Sequence, residues 1–201
     1  MADTKQKKLD AIALQIENCT ECTVNKIGLA VPGEGGSDAE VVFVGEAPGK
    51  EEAKTGRPFV GRSGKVLRSL IATLGFKDSE FFITSPVKRL PVHKTPTEGE
   101  IKHGRTHLDA QLAIIKPKVI VMLGRVAGVA LLKESFVMSR DHGTFIYIGK
   151  DGLVTPRLSA GGRTYFLTYH PSGVRYAQSM KDAIVADFKK LKKFLKNGKR
   201  N

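Results

Sequence analysis

No apolar run in the 201-residue sequence is long enough to cross a bilayer. The opening residues, MADTKQKKLDAIA, lack the apolar core of a signal peptide. These features set the expectation of a cytoplasmic or nucleoid location. Cysteine is nearly missing: Cys19 and Cys22 are the whole complement. A scaffold built on disulfides is thereby excluded. In a reducing compartment, a C-x-x-C pair reads as metal-binding or redox-active. Internal repeats and linkers are also lacking, so one domain over 1–201 is expected, long enough to bury a real core.

What is present in excess is positive charge. Lysine and arginine number 33 against 20 acidic residues, a formal charge of +13. Such a surplus points to a polyanionic partner. The lysines near the start and the basic helix end at about 189–201 read as solvated helix ends. Arg57, Arg62 and Lys65, with Lys88, Arg89, Lys94 and Arg175, are the sharper signal.

The chain is organised around residues 41–64, VVFVGEAPGKEEAKTGRPFVGRSG. The run Val41–Val44 reads as a buried strand. Gly45-Glu46-Ala47-Pro48-Gly49 stops it, because proline and glycine cannot continue a ladder. Glu46 thus stands at the edge where open α/β sheets bind ligands. A second loop, Gly56 to Gly64, combines Arg57, Phe59 and Arg62 with glycines. Arginines can meet phosphates and an aromatic ring can stack on a base. Either loop alone reads as an ordinary strand–loop–helix crossover; the pair within about twenty residues reads as a site.

Apolar periodicity predicts helices over 5–18, 64–74, 97–115, 126–132 and 181–195. Strands are expected at 80–84, 118–123 and 164–169, with short β elements over 136–155. Strands alternating with helices predict an α/β fold with a mainly parallel sheet covered on both faces. In that arrangement Glu46, Ser85 and His170 all end strands and converge on one rim. A carboxylate, a hydroxyl and an imidazole beside Phe59 make a pocket.

These residues resemble the uracil-DNA glycosylase superfamily, and most closely its family 4, the iron–sulfur group. The resemblance rests on Cys19 and Cys22, Gly33-Glu34-Gly35, Gly45 to Gly49, Gly56 to Gly64, Ile83-Thr84, the strand reaching Leu123-Gly124, and His170-Pro171-Ser172. It covers almost the whole chain. It implies a three-layer α/β/α domain on a central, mainly parallel four-stranded sheet. The implied reaction is hydrolysis of the N-glycosidic bond of a flipped-out, deaminated base, without lyase activity. The implied partner is DNA carrying that base, met by a monomer and not at a membrane. Glu46 and His170 would be catalytic. Gly45, Ala47, Pro48, Phe59 and Ser85 would form the base pocket. DNA contacts would come from Arg57, Gly61, Arg62, Ser63, Gly64, Lys88, His93, Lys94, Ser172, Gly173 and Arg175.

Three departures from the family pattern stand out. Ser85 replaces the asparagine that reads the uracil edge, so hypoxanthine or xanthine enters as a candidate substrate beside uracil. Arg89 and Gly104 occupy the third and fourth cluster-cysteine positions. A four-cysteine 4Fe–4S cluster is therefore not expected, and no cofactor is expected for catalysis. His103 and His107, spaced i, i+4, could join Cys19 and Cys22 in a Cys₂His₂ zinc site. The reading taken is that the site has decayed, with Arg89 filling it and both histidines on the surface. Finally, Val92-His93-Lys94-Thr95-Pro96 resembles a subgroup whose loop histidine traps the sugar covalently. His93 is taken as a simple DNA contact. A weakly catalytic DNA-binding module, or covalent capture through His93, is the alternative to a repair enzyme.

Overall fold

The computed structural model describes residues 2–132, 136–155 and 161–197. In chain order the strands are β1 Lys26–Ile27, β2 Glu34–Gly35, β3 Val41–Val44, β4 Phe81–Thr84, β5 Leu90–Pro91, β6 Val119–Leu123, β7 Thr144–Ile148, β8 Val154–Thr155 and β9 Arg163–Thr168. The α-helices are α1 Ala2–Glu17, α2 Lys50–Thr55, α3 Arg62–Leu74, α4 Glu98–Ile115, α5 Arg125–Leu131, α6 Met138–Asp141 and α7 Gln178–Asn197.

The main sheet runs β2-β4-β3-β6-β9-β7-β8. Its middle is the expected set of four parallel strands, β4-β3-β6-β9. Antiparallel strands extend it at both ends: β2 beside β4, and β7 with β8 beside β9. β3 and β6 are unbroken apolar runs, and β4 and β9 are apolar over 81–83 and 165–167, because both faces are covered. In β3, Val42 and Val44 face a core that includes Leu108 and Leu112 of α4, Leu131 of α5 and Leu9 of α1. Val41 and Phe43 point the other way, toward Leu67 and Ile71 of α3 and Phe188 and Leu191 of α7. The strand's period of two thus builds the three layers.

Helix ends follow their sequence signals. Thr97 caps α4 by accepting from the Glu100 N–H, while Glu100 accepts from the Thr97 N–H. Gly75 closes α3 in the left-handed region, at φ 79°. The part of the expected basic tail over 198–201 lies outside the described residues.

Candidate functional site

Register places the site. Val44 of β3 pairs with Thr84 of β4 and Met122 of β6, and Leu123 of β6 pairs with Thr168 of β9. The parallel strands therefore stop together, and Glu46, Ser85 and His170 follow them at one rim. A cavity of about 130 Å³ opens there. Ala47, Pro48, Phe59, Ser63, Ser85 and His170 line it, with Val31, Gly49, Glu52, Pro58 and Gly64. Gly45 backs the Phe59 ring. Glu46 is half-buried beside this wall but is not in the lining, and burial raises its carboxyl above the usual carboxylate range.

Two loops hold the pocket together through Glu52, a residue on α2 that carries no sequence signal. Its carboxylate accepts from the backbone N–H of Gly49 at 3.1 Å, and of Val60 and Gly61 at 2.8 Å each. Phe59 has a left-handed backbone, at φ 52°. The guanidinium of Arg68 fixes it by donating to the carbonyls of Pro58 and Phe59. Glycine is required on both sides of the ring. A Cβ at Gly45 would lie 2.5 Å from Phe59 Cζ, and one at Gly64 would lie 2.0 Å from the Phe59 carbonyl.

His170 stands 6.0 Å from Phe59, centroid to centroid. Its Nδ1 accepts from the Ser172 N–H at 3.2 Å and lies 2.8 Å from Ser172 Oγ. A backbone N–H only donates, so the neutral ring carries its proton on Nε2. Burial, helped by Arg175, pushes the imidazole pKa down to about 4. The ring therefore stays neutral at physiological pH. Gly124 leaves room for it: a Cβ there would sit 2.8 Å from that of His170. Ser85 is buried, and its hydroxyl donates to the Val87 carbonyl at 2.7 Å. It offers the cavity lone pairs only.

Arg62, Lys94 and Arg175 are exposed, as phosphate contacts require. Arg57 is also exposed but forms a two-point pair with Glu34 at 2.8 and 2.9 Å. Two expectations are corrected. The Gly61 N–H is held by Glu52, so it is committed within the fold rather than to phosphate. Lys88 is no DNA contact: only 2 % of it is accessible. Its ammonium donates to Thr84 Oγ1 at 2.7 Å, Gln111 Oε1 at 2.9 Å and the Pro32 carbonyl at 3.2 Å. The turn after β4 directs the side chain inward.

Burial brings Lys88 down to about 7, from an unperturbed 10.5. Between those values the unfolded chain holds a proton that the folded one has released. Stability should therefore rise with pH across that window, by about 1.4 kcal/mol per unit. Thermal melts at pH 7 and pH 9.5 should show this rise in the wild type, and a much smaller one in Lys88→Met. Equal pH responses would contradict it.

A second group forms on the α1–α4 side. Cys19 Sγ and Cys22 Sγ each lie 3.2 Å from His103 Nε2, and Cys22 Sγ lies 3.5 Å from His107 Nε2. All four donor atoms fall within 4.8 Å of one another. This overturns the reading of a decayed site, and with it the expectation of a protein without a cofactor. The histidines are not free on the surface; one turn of α4 aims both at the cysteines. Arg89 does not fill the gap, since its guanidinium donates to the carbonyls of Gly28 and Glu17. The four-cysteine cluster implied by the resemblance does not match this donor set. Two thiols are present, and a Cβ at Gly104 would lie 2.0 Å from the Pro86 carbonyl oxygen. His93 lines a separate cavity beside this group, of about 300 Å³, and faces Glu100 at 3.6 Å. The structure does not bring it together with His170.

Sequence reasoning missed the groups that support the pocket. Glu52 and Arg68 look like solvated helix charges in the sequence. Ser172 was read as a DNA contact, yet its side chain orients His170. The Pro-Ser after a strand-ending histidine was the available signal.

Comparison with known proteins gives the family. The family model described as "Uracil DNA glycosylase superfamily" matches residues 32–196. The chain is 35% identical over 191 residues to a type-4 uracil-DNA glycosylase of Archaeoglobus fulgidus, covering 92% of each chain. It is 36% identical to one from Sulfurisphaera tokodaii, covering 96% of this chain and 87% of the relative. With one from Thermotoga maritima it shares 34% identity, over 96% and 97%.

Proposed function

The chain belongs to the uracil DNA glycosylase superfamily, and we propose that it hydrolyses the N-glycosidic bond of uracil in DNA to leave an abasic site. The observation that carries this reading is the convergence of Glu46, Ser85 and His170 on one sheet rim around a cavity walled by Phe59. The sugar carbon is out of reach in a stacked duplex, so the base must flip into that cavity. Phe59 then stacks on it. His170, neutral and protonated on Nε2, donates to the departing base as negative charge builds there. Glu46, ionised, orients water and opposes the positive charge on the sugar. Water supplies the hydroxyl to the sugar carbon, the base leaves with the bonding pair, and the proton that water releases ends on the departing base. Among the described residues, no lysine lines the cavity, which favours hydrolysis without a lyase step. Arg57, Arg62, Lys94 and Arg175, with the backbone of Ser63, Gly64 and Gly173, hold the DNA strand. The protein acts as a monomer.

The test is incubation with single-uracil DNA, followed by alkali. Strand scission supports the reading. A mobility shift without scission would make the protein a binding module, and a band that survives denaturation would indicate covalent capture.

Ser85 sets the selectivity. Its hydroxyl hydrogen is committed to Val87, so it accepts from a base N–H but cannot donate to a base carbonyl. A side chain that supplies only half of a donor–acceptor pair discriminates less sharply than an amide. Hypoxanthine and xanthine are therefore included as substrates. Ser85→Asn should raise the single-turnover rate on uracil relative to the other two bases. Wild type that already excises only uracil, unchanged by the asparagine, would remove Ser85 from base reading.

A further inference from the structure

We propose that Cys19, Cys22, His103 and His107 bind a single tetrahedral zinc ion that pins the N-terminal segment to α4. The inference stands apart from the glycosylase reading and rests on donor geometry. Zinc binds thiolate sulfur at about 2.3 Å and imidazole nitrogen at about 2.0–2.1 Å, so tetrahedral angles place sulfur and nitrogen about 3.5 Å apart. Three of the four sulfur–nitrogen separations are 3.2, 3.2 and 3.5 Å, and the fourth lies within 4.8 Å. Donors this close surround one ion. In a four-iron cluster each thiolate takes a different iron, so the ligands ring a much larger body.

Three further features are those of a built site. The carboxylate of Glu21 lies 3.0 Å from His103 Nδ1. A proton held there leaves the Nε2 lone pair free for metal, the usual carboxylate–histidine support of a zinc ligand. The Cys22 N–H donates to Cys19 Sγ at 3.2 Å, which steadies a thiolate in a C-x-x-C turn. The one-turn spacing of His103 and His107 puts both imidazoles on one face of α4, with their rings 5.5 Å apart and nearly perpendicular. Two thiolates and two neutral imidazoles balance the charge of a divalent ion.

The ion would join segments far apart in sequence. Cys19 and Cys22 follow α1, whose Ile12 and Ile16 pack against Ala110 and Ile114 of α4. Metal thus completes a contact that the apolar faces begin.

The experiment is metal analysis of the whole protein, purified without added metal. About one zinc per chain is expected, with no stoichiometric iron or acid-labile sulfide. Cobalt exchanged into the site should give the visible bands of a tetrahedral thiolate centre. Under a fixed excess of competing chelator, Cys22→Ser and His103→Ala should each retain at least about tenfold less zinc. His93→Ala, on the neighbouring cavity wall, should retain as much as wild type. Circular dichroism checks that each variant is folded, and the cobalt spectrum of wild type tests the site without any variant. Iron with labile sulfide, a chain that takes up no zinc, or zinc held equally by all variants would overturn the proposal.

Discussion

Replacing His170 by alanine, or Glu46 by glutamine, lowers single-turnover excision by about 10²–10³-fold, the usual loss for one aimed group at a developing charge. The two losses should carry different pH signatures. His170 takes up its proton only near pH 4, so His170→Ala leaves the acid limb of the rate profile in place. The limb belongs to Glu46, whose carboxyl is raised by burial; Glu46→Gln abolishes it. Stability separates from activity in the same variants. A buried carboxyl with a raised pKa costs stability once it ionises as pH rises, so Glu46→Gln should melt at or above the wild-type temperature near neutrality. His170 works in the opposite direction. Its depressed pKa makes folding less favourable as pH falls from 6.5 toward 4, because the unfolded imidazole takes up a proton first. An acid limb that moves in His170→Ala, or near wild-type turnover in either variant, would remove these two residues from the roles given them.

Gly64→Ala should be strongly damaging to both stability and turnover. Alanine is the better helix former by up to about 1 kcal/mol, and Gly64 lies in the first turn of α3. Propensity alone therefore predicts a gain. The added Cβ would stand 2.0 Å from both the carbonyl carbon and oxygen of Phe59 and 2.7 Å from its Cα. Those are backbone atoms, which no rotamer change can move aside. Overpacking of this kind costs about 1–3 kcal/mol or more. Displacing Phe59 by an ångström can lower the rate about 10²-fold. Gly99→Ala is the control, since nothing lies within 4 Å of a Cβ there. Melting and single-turnover rates for the two variants decide the matter. Gly64→Ala that melts and cleaves like wild type would mean that the loop before α3 yields freely.

The rim of the sheet was legible in the sequence because each parallel strand carries an apolar run stopped by polar residues and a turn. Residues 41–44, 81–84, 119–123 and 163–168 behave in this way, and their common direction fixes where Glu46, Ser85 and His170 meet. The antiparallel edges were harder to read. β2 has two residues and β7 is only half-buried, so neither carries a strong apolar period. Lys88 was misread because a lysine beside an arginine looks like a surface charge; only the turn after β4 shows that it points inward. The cysteine–histidine group was underrated for a related reason. His103 and His107 were visible as an i, i+4 pair, but the packing of α1 on α4 brings Cys19 and Cys22 to them. No local pattern encodes that distance across more than eighty residues.

The fixed geometry of Phe59 has a consequence for the entropy of recognition. Its backbone is held by two carbonyl contacts to Arg68, and its ring is backed by Gly45. The aromatic platform is thus ordered before any base arrives. A side chain that must settle on binding gives up rotamer freedom, about 0.5–1.5 kcal/mol for a flexible one. Here that loss is taken during folding. What remains to be ordered at the encounter is the nucleotide, and an unpaired or mismatched one is already partly released from its stack. In the proposed reaction, the rigidity of one ring would therefore favour bases that leave the helix readily, before any hydrogen bond reads their edges.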